Sequence, residues 1–249
     1  MRVAILQFPG SNCDLDVLYV LRRVLGVKAD LVWHKFFDGS SYDAVILPGG
    51  FSYGDSLRSG AIAAHSPAMK KIKDMAYCGK PVLGICNGFQ ILVESELLPG
   101  ALMQNDCLTF VCKWVTLRAE TNSTAFTRLI PRGSILHMPV AHHEGRYMID
   151  EGGYKELCRN DQIVFRYADE KGELSKKSNP NGSMDNIAGI CNKERNVVGL
   201  MPHPERASEK AVNPYGTNDG LLIFESMFEF IRMPKTGRKM PCQSLAVCK

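Results

Sequence analysis

The sequence predicts an α/β protein built on a mostly parallel sheet, and three observations support this. Short apolar runs alternate with longer amphipathic stretches over the first hundred residues. Glycine and proline turn signals separate the two kinds of segment. Strands that are apolar on both faces and separated by helices are typical of a parallel sheet covered by helices. The 249 residues are 45% hydrophobic and 22% charged, which allows a large core and excludes bulk disorder.

The elements of the first hundred residues follow from this alternation. Apolar runs predict strands at 3–6, 29–33, 44–47 and 82–86. Helical spacing of apolar residues predicts helices at 14–25, 60–77 and 88–97. Gly26 directly follows the first helix, where glycine is a common stop signal.

The pattern of apolar residues changes after about residue 107. Short β-type runs recur at 108–115, 135–140, 146–149, 163–167, 187–191 and 197–201, without a long helical pattern between them. We expect these to be antiparallel strands added to the parallel sheet. The polar segment 171–186 predicts a surface loop, and 219–232 returns to helical spacing. The predicted organisation is one domain over 1–232 and a basic, disordered tail over 233–249.

Net charge and the length of the apolar runs indicate whether the protein binds nucleic acid or a membrane. The formal net charge is +4, but residues 1–231 hold 25 basic and 26 acidic side chains, so the excess lies in the tail. This balance gives no support to binding of nucleic acid or an anionic membrane. The N-terminal apolar run ends at Pro9 and Gly10, too early for a signal peptide, and no apolar stretch reaches the ~18 residues of a membrane span. We expect a cytoplasmic protein.

The nine cysteines form no C-x-x-C pair. A disulfide scaffold would be a shorter chain, and a structural zinc site would show paired short spacings. The sequence therefore predicts no metal site.

The segment 84–88, GICNG, is the first that contains a candidate catalytic residue. It lies where a predicted strand passes into a predicted helix, so that Cys86 would be a nucleophile on a sharp turn at the carboxyl edge of the sheet. The alternative is a buried structural cysteine between two turn glycines. Cys13, in the loop after the first strand, is a weaker competitor for the nucleophile.

A cysteine nucleophile needs a base, and the segment 201–206, MPHPER, offers one. Pro204 biases His203 toward an extended backbone, in which His203 and Glu205 would face the same side. A carboxylate that accepts from one ring nitrogen leaves the other nitrogen available as a base. The alternative is a solvated or core histidine.

A third segment, LPGGFSYGD at 47–55, places Gly49 and Gly50 directly after a strand. Backbone N–H groups in such a turn can stabilise a developing negative charge. The alternative is an ordinary turn. The spacing G-x-x-x-x-G-K-[ST] of a phosphate loop is absent.

These three segments, in this order, resemble the class I (triad) glutamine amidotransferases. With the segments 48–63, 84–90, 139–147, 201–207 and 218–221, the chain is most similar to the glutaminase subunits of phosphoribosylformylglycinamidine synthases. The resemblance covers residues 2 to about 232. It implies a flavodoxin-like fold with helices on both faces of the sheet.

The resemblance also implies the role of each site residue. Cys86 would attack the side-chain amide of glutamine, His203 would be the base and Glu205 would orient it. Gly50 and Asn87 match the positions whose backbone N–H groups form the oxyanion hole of the family. Gln90 matches a position associated with glutamine binding. The expected products are ammonia and a γ-glutamyl thioester that water hydrolyses to glutamate.

The partner implied by the resemblance is a large ATP-dependent synthetase subunit. That protein would use the ammonia to convert formylglycinamide ribonucleotide to its amidine in purine synthesis, in many organisms with a small bridging subunit. ATP and Mg²⁺ would belong to the synthetase, and this chain would hold no cofactor.

One departure from the family lies in the segment 142–146, HHEGR, because relatives commonly have glycine where this chain has His143. The resemblance implies that this segment faces the synthetase or closes over the glutamine site. Side chains of adjacent strand residues point in opposite directions, so His142 and His143 are not predicted to share a metal.

Three alternatives remain open from the sequence. The chain could be the amidotransferase subunit of another pathway, or a peptidase or deglycase-like protein with a cysteine elbow. The latter typically have histidine directly after the nucleophile, whereas this chain has Asn87. It could also be a binding subunit without catalytic activity.

Overall fold

A nine-stranded mixed sheet organises residues 1–233, the part of the chain that this computed structural model describes. The strand order is β2-β1-β3-β4-β11-β10-β9-β6-β7, and β5 pairs with β8 in a separate two-stranded sheet. The strands are β1 (Arg2–Gln7), β2 (Lys28–Trp33), β3 (Ala44–Leu47), β4 (Val82–Ile85), β5 (Ala101–Met103), β6 (Val111–Ala119), β7 (Ile135–His142), β8 (Arg146–Met148), β9 (Ile163–Ala168), β10 (Ile187–Cys191) and β11 (Val197–Leu200).

Six α-helices connect and cover the strands. They are α1 (Asp14–Tyr19), α2 (Ala61–Ala64), α3 (Pro67–Tyr77), α4 (Asn87–Glu94), α5 (Glu151–Arg159) and α6 (Leu221–Arg232) among residues 1–233. A π-helical turn over Val20–Val24 extends α1 to the end predicted for the first helix. None of the helices in the described residues is long and apolar enough to span a membrane.

The parallel half of the sheet consists of β2, β1, β3, β4 and β11, in the order of a flavodoxin-like fold. The predicted fold class is confirmed. Because these strands run in the same direction, the loops that follow β1, β3, β4 and β11 meet at one edge of the sheet. In open α/β sheets this is the edge where active sites form.

The prediction that the strand at 197–201 is antiparallel is wrong in one respect. β11 pairs antiparallel with β10 but parallel with β4, with Gly199 opposite Gly84. All four residues of β11 are buried, as expected for a strand inside the sheet. The apolar pattern of such a strand carries no information about its direction.

Two helix predictions also needed correction. The stretch 60–77 is two helices, because Pro67 lacks an N–H and begins α3 with Ser66 as its N-cap, whose hydroxyl accepts from the Ala68 N–H at 3.4 Å. The sequence pattern did not reveal α5, whose first turn contains Gly152 and Gly153, weak helix formers. The tail prediction over 233–249 falls almost entirely outside the described residues.

The core lies between the sheet and its helices. Its largest fully buried side chains are aromatic residues of helices, antiparallel strands and loops, together with aliphatic residues that lie mostly in β1 and β3. The ring of Phe89 on α4 stacks on Tyr147 of β8 at 6.1 Å between centroids. This contact ties the helix after Cys86 to the small sheet.

Candidate active site

Cys86 occupies a strained turn between β4 and α4. Its backbone has φ 50° and ψ −105°, a conformation that costs energy for any residue with a Cβ. The Cys86 N–H donates to the Leu200 carbonyl at 2.8 Å, which fixes the turn to the end of β11. The residue is 5% exposed, and its thiol approaches the Ala141 carbonyl at 3.7 Å. This is the geometry of a nucleophile elbow.

The glycines on either side of Cys86 are required by close backbone packing. A Cβ on Gly84 would lie 2.6 Å from the Gly88 carbonyl oxygen, and a Cβ on Gly88 would lie 2.0 Å from the Leu47 carbonyl oxygen. Neither partner is a side chain that could move aside. The motif 84–88 is thus explained by the approach of α4 to the ends of β3 and β4.

His203 and Glu205 form a buried pair at the same edge. His203 Nδ1 lies 2.6 Å from Glu205 Oε1, and the two residues are 1% and 5% exposed. His203 has the extended backbone that was predicted for a residue before proline, at φ −103° and ψ 91°. The residues Pro204–Ala207, however, form a 3-10 turn. The pair therefore forms across a turn rather than along a strand.

The ionisation of His203 depends on its surroundings. Burial acts to lower the pKa of its imidazole, but the Glu205 carboxylate and the Cys86 thiol outweigh burial and raise this pKa well above the usual value. His203 Nε2 is buried, and among the described residues no group meets hydrogen-bond geometry with it. A base with one nitrogen fixed by a carboxylate and the other free can accept a proton from a nearby thiol.

The two backbone amides predicted for an oxyanion hole flank this site. Gly50 has φ 151° and pairs with Ser11 in an isolated bridge, and a Cβ at this position would lie 2.7 Å from the Gly10 carbonyl oxygen. Asn87 is the first residue of α4, and its side-chain Oδ1 accepts from the Ser52 N–H at 3.2 Å. Within residues 1–233 neither the Gly50 nor the Asn87 N–H donates a hydrogen bond.

Gln90 lies one turn after Cys86 and is 5% exposed. Its Oε1 accepts from Asn87 Nδ2 at 2.9 Å, and its Nε2 donates to the Glu144 carbonyl at 2.6 Å. Both ends of its amide are therefore occupied by protein groups. Its role in binding glutamine remains a prediction.

The segment 141–146 covers the elbow. The Glu144 carboxylate accepts from the Ser59 N–H at 3.2 Å, in addition to the contact of its carbonyl with Gln90. His142 points inward, with Nδ1 3.1 Å from Asn105 Oδ1, whereas His143 points outward to Gln104. The two histidines face opposite sides, but β7 ends at His142 and His143 lies in the bend that follows, so strand alternation is not the cause.

Cys13 also lies in the cluster of His203 and Glu205, a placement that was not predicted from the sequence. This residue is 3% exposed, its Sγ accepts from the Arg206 guanidinium at 3.2 Å, and its thiol raises the pKa of His203. Cys13 Sγ, a ring nitrogen of His203 and a carboxylate oxygen of Glu205 all lie within 4.8 Å of one another. The available signal was that Cys13 follows β1, whose carboxyl end lies at the same sheet edge.

Residues 1–231 match the CobB/CobQ-like glutamine amidotransferase domain family. The chain belongs to this family. Two curated members named phosphoribosylformylglycinamidine synthase subunit PurQ illustrate the likeness. The one from Methanosarcina mazei is 55% identical over 231 residues, which cover 93% of this chain and 98% of the relative. The one from Aquifex aeolicus is 52% identical over 227 residues, which cover 91% and 99%.

Solved structures agree with the family assignment. One chain from the structure of PurLQS from Thermotoga maritima has a TM-score of 0.79 and 41% sequence identity, with 93% of this chain and 99% of that chain covered. Another protein of Thermotoga maritima, described as a glutamine amidotransferase, has a TM-score of 0.55 and 18% identity over 94% and 99% of the two chains. The second likeness shows the shared fold alone.

Proposed function

We propose that this chain is the glutaminase subunit of a phosphoribosylformylglycinamidine synthase. The observation that carries the proposal is the strained Cys86 elbow beside the buried pair of His203 and Glu205. A thiol, a base and a carboxylate in this order are the machinery of acyl transfer through a covalent intermediate. The site residues predicted from the sequence take these roles.

In the first half of the reaction, His203 Nε2 accepts the Cys86 proton while the sulfur attacks the side-chain amide carbon of glutamine. The negative charge that develops on the amide oxygen is stabilised by the N–H groups of Gly50 and Asn87. Glu205 holds the ring through Nδ1 and stabilises the imidazolium. The C–N bond then breaks as His203 returns the proton to the departing ammonia.

In the second half, water attacks the γ-glutamyl thioester. His203 accepts a proton from this water, the carbon–sulfur bond breaks, and glutamate leaves as Cys86 regains its proton. These steps use side chains and backbone N–H groups of this chain together with water. ATP and Mg²⁺ belong to the amidine-forming step of the synthetase partner.

The choice of acceptor rests on the relatives. The named relatives of purine synthesis share 52% and 55% identity over more than nine-tenths of both chains, and the first Thermotoga maritima neighbour comes from a PurLQS assembly. A partner protein that receives ammonia directly keeps it from being protonated in water and lost as a nucleophile. A small bridging subunit is part of the same proposal.

We further infer that the glutaminase is gated. Cys86 and His203 are almost fully buried, and the segment 141–146 contacts both Gln90 and the Cys86 thiol. Glutamine reaches Cys86 only if this segment withdraws. We expect docking of the synthetase to favour that movement, so that the isolated chain turns over slowly.

The test is glutamate release from glutamine by the purified chain, alone and with an ammonia-dependent synthetase, ATP and formylglycinamide ribonucleotide. Release should rise steeply with the partner and vanish in Cys86→Ala, while added ammonia still supports amidine synthesis. Equal release with and without the partner would contradict the gate. Undiminished release by Cys86→Ala would contradict the assignment of the nucleophile.

A further inference from the structure

We propose that Cys13, His203 and Glu205 form a binding site for a thiophilic divalent cation, and that zinc bound there inactivates the glutaminase. The proposed reaction uses two of these residues but leaves the buried thiol of Cys13 without a task. In the proposed site, the Cys13 thiol is a ligand of the cation. This inference rests on the proposed function and adds an inhibitory ligand to it.

The donor set identifies the class of cation. A thiol sulfur, an imidazole nitrogen and a carboxylate oxygen lie within 4.8 Å of one another, and all three residues are buried. Zinc accepts all three donor types, with bonds of about 2.3 Å to sulfur and about 2.0 Å to nitrogen and oxygen. Magnesium and calcium prefer oxygen ligands alone and are poorly suited to a site with a thiolate.

A buried atom that the proposed reaction does not use supports a ligand at this place. Glu205 Oε2 has no hydrogen-bond partner among the described residues, although it is shielded from water. Buried polar atoms without partners are uncommon. Glu205 therefore has an oxygen available for a cation even while its other oxygen contacts His203.

The local charges also suit a divalent cation. A Cys13 thiolate and the Glu205 carboxylate together neutralise two positive charges, which matters in a buried site. The Arg206 guanidinium donates to Cys13 Sγ at 3.2 Å and is itself paired with Asp16 at 3.2 Å. Arg206 thus serves as an outer partner that holds the sulfur in position.

Binding of the cation to either ring nitrogen of His203 would inhibit the proposed reaction. A cation on Nε2 occupies the lone pair that would accept the proton of Cys86. A cation on Nδ1 takes the place of the proton shared with Glu205, and the neutral ring then carries its remaining proton on Nε2. In both cases His203 cannot act as the base, and the nucleophile is not activated.

The experiment compares cation binding in wild type, Cys13→Ser, Cys13→Ala and Cys86→Ala. Co²⁺ serves as the spectroscopic probe because a thiolate ligand gives it a sulfur-to-metal charge-transfer band. Zn²⁺ affinity is measured by competition with a chromophoric chelator. Each of these single variants differs from wild type by one thiol, so the exposed Cys107, Cys112 and Cys158 contribute equally to their spectra.

We expect Cys86→Ala to retain the Co²⁺ band and to bind Zn²⁺ within about twofold of wild type. Both Cys13 variants should lose that band and bind Zn²⁺ at least ~10-fold more weakly than wild type. Loss of a residue that only hydrogen-bonds to a metal ligand already lowers metal affinity by about this factor, and Cys13 is proposed as a ligand itself. In the assembled synthase, inhibition of glutamate release should need ~10-fold more Zn²⁺ for Cys13→Ser than for wild type.

Two results would overturn the proposal. One is wild-type Co²⁺ absorption and Zn²⁺ affinity in the Cys13 variants. The other is loss of binding in Cys86→Ala, which would place the cation on the nucleophile instead. Because these readouts do not need turnover, they remain decisive even if the chain proves not to be a glutaminase. Thermal unfolding of each variant identifies loss of fold, and Cys13→Ala in the Cys86→Ala background provides the second comparison.

Discussion

The substitution Glu205→Gln tests the proposed triad most directly. Glutamine has nearly the size of glutamate, so the packing of the buried pair is retained. What changes is the charge beside His203 Nδ1, which lies 2.6 Å from Glu205 Oε1. The amide can also present its NH₂ group to Nδ1, which would leave the ring in the wrong tautomer.

The magnitude follows from the electrostatics of this pair. During each proton transfer His203 is an imidazolium beside a carboxylate, with the two charge centres about 4 Å apart. At an effective dielectric constant of about 20 this attraction amounts to about 4 kcal/mol. Because about 1.4 kcal/mol corresponds to a tenfold change in rate, loss of the charge should slow glutamate release about 1,000-fold.

The assay is glutamate release by the chain with its synthetase, ATP and formylglycinamide ribonucleotide. The matched control is Glu170→Gln, since Glu170 Oε2 contacts His137 Nε2 at 2.8 Å with 62% of the Glu170 side chain exposed. The Glu170 carboxylate lies at the surface, and its variant should keep the wild-type rate within about twofold. If Glu205→Gln keeps more than about a tenth of the wild-type rate, the Glu205 carboxylate does not stabilise the imidazolium as proposed.

Three further predictions concern packing, pH dependence and substrate binding. Gly88→Ala places a methyl group 2.0 Å from the Leu47 carbonyl oxygen and should lower the free energy of unfolding by about 1–3 kcal/mol. The control, Gly152→Ala at an exposed position of α5, should not lower it. Equal urea unfolding of the two variants would contradict this prediction. Burial lowers the pKa of His142 to about 4, so the stability it provides is complete above about pH 6.5 and is lost as the pH falls toward 4. Wild type should therefore lose about 3 kcal/mol more unfolding free energy than His142→Gln over this range, and parallel pH profiles would argue against it. If Gln90 binds glutamine, Gln90→Leu should raise KM about tenfold through lost hydrogen bonds, and an unchanged KM would remove Gln90 from the binding site.

The parallel half of the fold could be predicted because its signals are local. Strands β1, β3 and β4 are apolar along most of their length, and turn residues mark where they end. Predictions failed where tertiary packing outweighed local preference. α5 forms despite the consecutive Gly152 and Gly153, with Asp150 capping its first turn by accepting from the Gly153 N–H at 2.7 Å.

The residues proposed for the site could be predicted from the sequence alone. The elbow glycines, the thiol of Cys86 and the pair His203 and Glu205 can be identified because each signal spans only a few residues. The fold was needed to show that β11 lies parallel to β4, which brings His203 to the sheet edge at which Cys86 lies. It was also needed to show that Cys13, 190 positions before His203 in the chain, belongs to the same cluster. The physical reason is that periodicity records which face of a strand is buried, whereas strand order and direction depend on long-range packing.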